Sequence, residues 1–267
     1  MSKTIKPLVS IIMNCFNGEK YLLEAINSVY LQSYDNWEII FWDNASNDNS
    51  PSIAKSFDRK LKYYKSERLV PLYEARNYAI DKCSGPIICF IDCDDLWAYN
   101  KLEQQVQLYD LGNAIVYSRF EFIDNKGDKL ETASPNPIAG KITREILANN
   151  PISISSILLD ANIIKNEKFN KFYNLLGDFE LWFRLSMKYD FSYVDEVHEF
   201  SRQHGDNTSV IEKNNWILEQ RYFYSKLLFS KKIMYKIGLY VILKYVIKCE
   251  LISIVGKFKK FLHRGIN

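Results

Sequence analysis

Glycine and proline are scarce in this sequence. Of its 267 residues, only 10 are glycine and 7 are proline. So low a content excludes collagen-like repeats and argues against long flexible linkers. The remaining composition, with 47% hydrophobic and 25% charged residues, is typical of a folded soluble protein with a sizeable core. The length therefore fits one large α/β domain or two smaller ones.

Cysteine is also too sparse to form a disulfide framework or a zinc site. The five cysteines form no CxxC pair and are odd in number, which predicts a reducing compartment and a cytoplasmic protein. The apolar run at residues 8–13 is too short for a signal peptide, and no small-residue cleavage site follows it. No GxGxxG motif follows this run, so a dinucleotide-binding oxidoreductase is poorly supported.

The excess charge is small overall but unevenly placed. The net charge is +3, too little to predict a nucleic-acid partner. Residues 230–267, however, carry nine lysines and arginines against the single acid Glu250, a local charge of +8. The residues before them sum to −5. Such an asymmetry is informative about partners rather than about the fold.

The basic C-terminal tail is predicted to be helical beyond Trp216. Its longest charge-free run, residues 237–243, is far shorter than the ~20 residues that span a bilayer. A cationic amphipathic helix on an anionic membrane surface fits the pattern. A helix packed on the preceding domain with solvated lysines fits it equally well. Four of its lysines recur at multiples of four residues, namely Lys232, Lys236, Lys244 and Lys248.

Three short apolar runs predict buried strands of a parallel sheet. They cover residues 8–13, 38–42 and 87–91, are rich in Ile or Phe, and each ends in a polar residue. A further short strand is predicted at 62–64. The alternation of strand and helix predicts a doubly wound α/β fold. The predicted intervening helices cover residues 19–32, 50–57 and 74–83.

Beyond residue 95 the predicted elements are mixed. A helix near 100–111 precedes a strand and a hairpin over 114–131, whose turn lies at 125–127. The last sheet-type segment ends near 198–200, so a domain boundary is expected near residue 210. The other predicted elements are a helix at 143–148, an alternating strand at 152–159, a helix at 178–189 and a strand at 191–194.

Acidic residues follow two of the predicted strands, at the position where ligands bind in open α/β sheets. Asp43 directly follows the second apolar run, whereas Asp92, Asp94 and Asp95 directly follow the third. Three carboxylates so close together repel one another unless a cation or a proton offsets their charge. A divalent ion such as Mn²⁺ or Mg²⁺, held by carboxylates and a substrate's phosphates, supplies that offset. Helix capping is the simpler alternative for Asp43 and Asp95, but capping needs only one acid of the cluster.

Five segments in a fixed order resemble family 2 glycosyltransferases. Any one of them is weak evidence, whereas the ordered set, covering about residues 8–209, is strong evidence. The segments are residues 9–50 with the NCFN turn and the DNASNDNS loop, YEARNYAI at 73–80, FIDCDDLW at 90–97, GDFELWFRL at 177–185 and SRQHGDNTS at 201–209.

The resemblance implies a GT-A fold, in which a doubly wound mixed sheet is flanked by helices. It also implies inverting transfer of a sugar from a nucleotide-diphosphate donor, expected to be UDP-linked, to a saccharide or a lipid-linked saccharide in surface polysaccharide synthesis, such as that of lipopolysaccharide. The expected organisation is a nucleotide-binding part at 1–98, an acceptor-side part at 99–210 and a helical basic extension at 211–267. Such an enzyme is expected to be cytoplasmic, with the basic tail on the inner face of the membrane.

The resemblance also assigns roles to individual residues. Asp178 is expected to be the general base, and Asp94 and His204 are expected to hold the metal ion. Further candidates are Asp95, Arg202 and Trp97, of which Trp97 is otherwise a core residue. The residues expected to bind the nucleotide sugar are Asn14, Phe16, Asn17, Asp43, Arg76, Asp92 and Cys93.

The sequence departs from the family pattern at three positions. Asn14 stands where proline is common, and Tyr99 stands where a proline often follows the acidic motif. Gly177 replaces the usual Glu before Asp178. Asp178 is therefore the sole acid of this motif apart from Glu180. None of these changes removes a residue that the implied chemistry needs.

Simpler roles remain open for several of these residues. Asp178 begins a predicted helix and would also suit its N-cap. Arg76 could be a surface residue paired with Glu74 or Asp81. A lone histidine such as His204 is more often packed or solvated than a ligand.

Two other functions remain as alternatives. A strand followed by Asp92-Cys93-Asp94 also begins the site of haloacid-dehalogenase-type phosphohydrolases, in which Asp92 would be the nucleophile. Against this alternative, Leu96 stands where Thr or Val is expected, and the motif follows the third apolar run rather than the first. The other alternative is an inactive nucleotide-binding protein associated with membranes, against which the intact acidic cluster and Asp178 argue.

Overall fold

A nine-stranded mixed sheet forms the centre of the computed structural model. The structure describes residues 6–133, 135–205, 207 and 211–230, together with positions 233, 237, 239, 243, 244, 246 and 247. The strands are β1 (Val9–Cys15), β2 (Trp37–Asp43), β3 (Leu61–Lys65), β4 (Ile87–Phe90), β5 (Leu96–Trp97), β6 (Ile115–Ile123), β7 (Lys129–Ala133), β8 (Leu158–Asp160) and β9 (Ser192–Arg202). The helices are α1 (Glu19–Tyr30), α2 (Ser50–Lys55), α3 (Leu72–Ile80), α4 (Lys101–Asp110), α5 (Thr143–Asn149), α6 (Ala161–Glu167), α7 (Gly177–Ser186) and α8 (Lys213–Leu228).

The order of the strands creates a crevice between β1 and β4. The order is β3-β2-β1-β4-β8-β6-β9-β5, with β7 paired to β6. Strands β1 to β4 run parallel to one another, and helices α1, α2 and α3 connect them along the chain. The chain moves outward from β1 to β3 and then returns to β4 on the other side of β1. Such a switch point opens a crevice at the carboxyl ends of the strands.

The second half of the sheet is what makes it mixed. Strand β8 runs antiparallel to both β4 and β6, whereas β6 and β9 run parallel to each other. The doubly wound mixed sheet flanked by helices that the sequence predicts is therefore confirmed.

Each face of the sheet buries its own core, because successive strand residues point to opposite sides. Ile12 and Phe90 pack with residues of α3 and α7 on one face. Ile11 and Cys89 pack with residues of α1 and α4 on the other. Every residue of β1 and β2 is buried, which explains why these strands are almost continuous apolar runs in the sequence.

The prediction of a strand at residues 152–159 is wrong over most of that range. Only Leu158–Asp160 is a strand, and Ile154–Ser156 is a 3-10 turn. Serine hydroxyls explain the difference, since Ser156 Oγ donates to the Ser153 carbonyl at 2.8 Å. The alternation of Ile and Ser therefore marks a buried turn that the serine side chains stabilise. The sequence patterns also did not predict β5 and α6.

Helix α8 packs on the main core. Phe223, Tyr224 and Leu227 belong to the same core cluster as the buried residues of α3 and α7, and Ile237 does so further along the chain. Among the described residues, no helix combines the length and apolar character needed to cross a membrane. Of the lysines and arginines predicted to make the tail basic, only Lys244 lies within the described residues.

Candidate active site

A cavity of about 460 Å³ lies at the carboxyl ends of β1 and β4. Its wall is built by the turn after β1, the first turns of α3, the acidic residues after β4, the start of α7 and the loop after β9. Most of the predicted site residues line this cavity, although they are distant in sequence. These residues are Asn14, Phe16, Asn17, Arg76, Asp92, Cys93, Asp94, Asp95, Asp178, Arg202 and His204.

Arg76 provides a buried positive charge in the cavity wall. Its side chain is only 4% exposed, and its Nη2 lies 2.6 Å from Oδ1 of Asp92. The alternative of a surface ion pair with Glu74 or Asp81 is therefore wrong. Asp81 instead pairs with Lys168 at the surface. The ion pair with Arg76 fixes one carboxylate of the acidic cluster against α3.

Asp178 is the second residue of α7, and its carboxyl group lies on the cavity wall. Oδ1 accepts hydrogen bonds from the Tyr73 hydroxyl at 3.1 Å and from the Phe179 N–H at 2.7 Å. Burial raises the pKa of Asp178 above its ordinary value, although the charge of Arg76 and these two hydrogen bonds oppose the rise. Leu176 occupies the N-cap position of α7, so Asp178 is not the N-cap. A carboxylate whose pKa is raised is a stronger base than an ordinary aspartate, which suits it to accept a proton.

Asp94 and His204 lie side by side on the cavity wall. The Nε2 atom of His204 is 3.0 Å from Oδ2 of Asp94, and the side-chain amide of Asn207 donates to the same oxygen at 3.3 Å. Burial and the neighbouring charge of Asp92 raise the pKa of Asp94, whereas His204 lowers it. The loop after β9 therefore supplies the partners of the middle carboxylate in the acidic cluster.

Asp95 and Arg202 hold the acidic cluster in place. Asp95 is buried, and its two oxygens accept hydrogen bonds from the Ser155 hydroxyl at 2.7 Å and from the Arg202 N–H at 3.0 Å. The side chain of Arg202 donates to the Asp94 carbonyl at 2.9 Å and pairs with Glu24 at 2.8 Å. These contacts fasten the acidic cluster to β9 and α1.

Two buried polar side chains of the cavity wall have no hydrogen-bond partner among the described residues. Both side-chain amide atoms of Asn14 and the hydroxyl of Tyr21 are unpaired. Asn14 is 8% exposed and Tyr21 is 7% exposed. A buried polar atom without a partner costs about 1–3 kcal/mol. Polar atoms of a bound ligand would remove that cost.

The turn after β1 is held by the loop after β2. Asn17 adopts a left-handed φ of 54°. Its side-chain oxygen accepts a hydrogen bond from the Asn47 N–H at 2.9 Å, and its own N–H donates to the Ser46 hydroxyl at 3.0 Å. Gly18 has no room for a side chain, because a Cβ there would lie 2.9 Å from the sulfur of Cys93. Phe16 projects from this turn and is 47% exposed.

The structure does not bring Asp43 and Trp97 to the cavity wall. Asp43 is fully buried, and its carboxylate accepts hydrogen bonds from the Ser46 N–H at 2.8 Å and the Tyr63 hydroxyl at 2.5 Å. It stabilises the loop that holds the Asn17 turn and does not cap α2. Trp97 is 5% exposed, and its indole N–H donates to the Ser155 carbonyl at 2.8 Å. Both residues are buried behind the cavity wall, where their hydrogen bonds stabilise the loops that form it.

Comparison with known proteins identifies the family of this chain. A family model described as Glycosyl transferase family 2 matches residues 10–168, more than half of the sequence. The chain belongs to glycosyl transferase family 2. The resemblance in the sequence motifs is thereby confirmed, and family membership decides against the phosphohydrolase alternative.

Individual family 2 relatives match most of this chain. The chain is 33% identical over 178 residues to the Escherichia coli protein named UDP-Glc:alpha-D-GlcNAc-diphosphoundecaprenol beta-1,3-glucosyltransferase WfgD, a match that covers 66% of this chain and 68% of WfgD. It is 31% identical over 214 residues to an uncharacterized glycosyltransferase of Rickettsia typhi, a match that covers 77% of this chain and 67% of that protein. A Rickettsia bellii glycosyltransferase matches at 26% over 211 residues, covering 78% of this chain. The chain spans 30% of that last relative's length and about two thirds of the others'.

Solved structures show the same fold. The chain is similar to the crystal structure of S. aureus TarS 1–349 in complex with UDP, with a TM-score of 0.66, 17% identity, and coverage of 84% of this chain and 66% of that one. The complex of TarS 1–349 with UDP-GlcNAc matches with a TM-score of 0.65 and 16% identity. This match covers 84% of this chain and 67% of the TarS chain. At such identities the likeness concerns the fold alone, which is GT-A as predicted.

Family 2 enzymes with this fold generally use a divalent metal ion. Among the described residues, no group of three or more His, Cys, Asp or Glu side chains is arranged as a metal site. Asp94 and His204, however, offer one oxygen and one nitrogen to the same cavity, beside a second carboxylate at Asp92. Mg²⁺ and Mn²⁺ commonly take one or two protein carboxylates and complete their coordination with substrate phosphates and water. The two residues therefore fit an ion that is held jointly with a diphosphate.

Sequence reasoning missed several residues of the family 2 cavity. Tyr73 stands three residues before Arg76, and this spacing places both residues on one face of α3. From that spacing, Tyr73 could have been predicted to lie beside Arg76 in the cavity wall. Asn207 had no such signal, because neither His204 nor Asn207 is helical. Ser153 had none, since its position depends on the unpredicted 3-10 turn.

Proposed function

We propose that this protein is an inverting glycosyltransferase that moves a sugar from a UDP-linked donor to a hydroxyl group of a saccharide or lipid-linked saccharide. The observation that carries the proposal is the shared cavity. It holds a carboxyl group with a raised pKa at Asp178 and the adjacent Asp94 and His204 side chains. Two resemblances support the choice of substrates. The name of WfgD specifies a UDP-Glc donor and a diphosphoundecaprenol-linked acceptor, and TarS has been solved with UDP and UDP-GlcNAc.

The proposed reaction is a single displacement at the anomeric carbon. Asp178 takes the proton of the acceptor hydroxyl while the acceptor oxygen forms a bond to that carbon from the face opposite the leaving group. The bond between the anomeric carbon and the donor's phosphate oxygen breaks, and its electron pair leaves on the nucleoside diphosphate. General-base help of this kind contributes roughly 10²–10⁴-fold to the rate. When bound by Asp94 and His204, a divalent ion would offset the negative charge that develops on the diphosphate.

The proposed donor site is formed by the first part of the chain. Asn14 supplies the unpaired amide, which has one donor and one acceptor group for the polar edges of the nucleotide. Arg76 lines the cavity and offsets the negative charge of Asp92 through their ion pair. We assign residues 1–98 to nucleotide binding and residues 99–210 to the acceptor side and the base. The other proposed donor-binding residues are Phe16, Asn17 and Cys93 on the wall, and Asp43 supports them by holding the loop that fixes the Asn17 turn.

Ligand-induced thermal stabilisation tests the proposed donor class. The purified chain is heated with UDP-, GDP- and dTDP-linked sugars, each with and without Mn²⁺. We expect a UDP-sugar with Mn²⁺ to raise the Tm most, because a ligand that binds only the folded state stabilises it by about 2.7 kcal/mol at 100 times its Kd. Asn14→Ala should weaken this rise, whereas Asn113→Ala, distant from the cavity, should leave it intact. If no nucleotide sugar changes the Tm of the wild-type chain, the proposal is wrong.

The proposal extends to the location of the enzyme, which we place in the cytoplasm on an anionic membrane surface. The described positions between 233 and 247 are helical. Ile237 faces the core at 2% exposure, whereas Leu239, Leu243 and Ile247 are 50%, 38% and 56% exposed. These three apolar residues recur every four positions, within a segment that is rich in lysine. These described positions support both alternatives for the tail, because Ile237 packs on the domain whereas three apolar side chains are exposed.

A further inference from the structure

Tyr73 connects helix α3 to the start of helix α7. Its side chain is buried at 2% exposure, and its ring lies directly over Gly177. Its hydroxyl oxygen is 3.1 Å from Oδ1 of Asp178 and 3.2 Å from the carbonyl oxygen of Leu175. The hydroxyl thus faces two acceptors but has one proton to donate.

We infer that Tyr73 is a positioning residue for the general base, and that its hydroxyl changes acceptor during the reaction. The inference rests on the proposed role of Asp178. While Asp178 is ionised, the Tyr73 O–H donates to its Oδ1, because a hydrogen bond to a charged acceptor is the stronger one. Once Asp178 has taken the acceptor's proton, the O–H turns to the Leu175 carbonyl. The buried hydroxyl therefore keeps a hydrogen bond in both states.

The hydrogen bonds to Asp178 leave one of its oxygens for the reaction. Both described hydrogen bonds, from Tyr73 and from the Phe179 N–H, end on Oδ1. Asp178 is only partly buried and lines the cavity. We assign Oδ2 to the acceptor's proton, since Oδ1 is already held by two donors. The role of Tyr73 is therefore to fix the orientation of the carboxylate without blocking its reactive oxygen.

The glycine at position 177 is explained by the same contact. A Cβ built on Gly177 would lie 2.5 Å from Cδ2 and 2.6 Å from Cε2 of Tyr73. No side chain fits in that space while the tyrosine ring occupies it. Gly177, where the family motif usually has Glu, and Tyr73 therefore form a matched pair.

The charges around Asp178 determine how loss of the hydroxyl would affect it. Arg76 stabilises the ionised carboxylate, as do the Tyr73 hydroxyl and the Phe179 N–H, whereas burial and the charge of Asp92 disfavour it. Burial and Asp178 raise the pKa of Tyr73 itself well above its ordinary value, so the hydroxyl keeps its proton at neutral pH. Without that hydroxyl, the pKa of Asp178 should rise further. As the solution is acidified, a base with a higher pKa becomes protonated, and therefore inactive, at a higher pH.

Steady-state kinetics of Tyr73→Phe test the inference. This variant keeps the ring over Gly177 and removes one oxygen atom. We expect kcat to fall about 10-fold, because the carboxylate is no longer held in its reactive orientation, while the Kd for the donor changes less than about 2-fold. The acidic limb of the kcat/KM profile should move to higher pH by about one unit. Donor binding to the same preparation shows that the variant is folded.

The matched control is Tyr109→Phe. Tyr109 donates to Oδ2 of Asp160 at 2.8 Å, an equivalent hydrogen bond away from the cavity, and its loss should leave both kcat and the pH profile unchanged. The inference alone is refuted if the wild-type chain transfers sugar and Asp178→Asn abolishes transfer, yet Tyr73→Phe behaves like Tyr109→Phe. Absence of transfer by the wild-type chain would instead refute the proposed function on which the inference rests.

Discussion

At the scale of single residues, the candidate site is a set of charges whose partners restrict what each can do. Asp92 is neutralised by Arg76, and Asp95 is held by Ser155 and by the backbone of β9. Asp94 and Asp178 both line the cavity. Similar side chains thus have different roles, because their burial and their hydrogen-bond partners differ. We assign chemistry to Asp94, His204 and Asp178 because these three side chains line the same cavity.

The contact between Tyr73 and Gly177 leads to a prediction about stability. Helix propensity alone would favour Gly177→Ala by up to about 1 kcal/mol. We expect the opposite, a loss of about 1–3 kcal/mol in the free energy of unfolding, because the new Cβ would overlap a buried ring. Chemical denaturation measures the change. Gly205→Ala is the control, since a Cβ there would meet no heavy atom within 4 Å. Equal stability of the two variants would contradict the packing described for Tyr73.

The predictability of the site also differs from residue to residue. The family resemblance pointed to Asp94, Asp178 and His204 because they occupy recognisable motif positions, and the structure brings all three to one cavity. Asp43 and Trp97 occupy equally suggestive positions in the sequence, but the structure places both behind the cavity wall, where their polar groups make internal hydrogen bonds. Which side of a loop a side chain takes depends on distant partners, and a single sequence does not contain that information.

At the scale of secondary-structure elements, predictability follows the kind of pattern that each element leaves. Strands β1, β2 and β4 are buried on both faces and therefore appear as apolar runs, which were placed to within two residues. Helix α1 was predicted from its amphipathic spacing, and Leu22, Ile26 and Val29 are indeed buried. These elements form the half of the fold that carries the acidic cluster.

The elements that sequence reasoning missed are short and depend on tertiary contacts. Strand β5 has two residues and exists because Leu96 and Trp97 pair with β9. The 3-10 turn at Ile154–Ser156 depends on serine hydroxyls that bond to the backbone rather than to solvent. Local propensity does not reveal such contacts. These elements nevertheless matter to the site, since Ser155 bonds to the acidic cluster and Ser153 lines the cavity.

At the scale of the whole molecule, the cavity joins the two halves of the chain. Asn14, Arg76 and the acidic cluster come from the parallel half, whereas Asp178 and His204 come from segments beyond residue 170. The switch point between β1 and β4 provides the crevice, and the antiparallel β8 brings the second half beside it. This arrangement suits a reaction between two substrates, because donor and acceptor can approach from different parts of the chain.

The exposed stripe beyond α8 leads to a prediction about membranes. We expect the wild-type chain to sediment with vesicles of 70:30 phosphatidylcholine to phosphatidylglycerol, a typical anionic composition, and to lose this binding when Leu239, Leu243 and Ile247 are all replaced by Ser. Burying one such side chain is worth about 1.5–3 kcal/mol, so the three together dominate binding. Leu111→Ser is the control, since Leu111 is 79% exposed at the end of α4. Binding that is absent in the wild-type chain, or unaffected in the triple variant, would contradict the assignment.

The role of Asp178 is tested most directly by the rate at which UDP is released from UDP-linked sugars in the presence of a GlcNAc-diphosphoundecaprenol acceptor and Mn²⁺. The comparison is between the wild-type chain, Asp178→Asn and the surface control Asp35→Asn. We predict that Asp178→Asn binds the donor with unchanged affinity but releases UDP about 10²–10⁴-fold more slowly, whereas Asp35→Asn matches the wild-type chain. Turnover by Asp178→Asn at the wild-type rate would contradict the account, because the cavity would then have no base at the position where we place it.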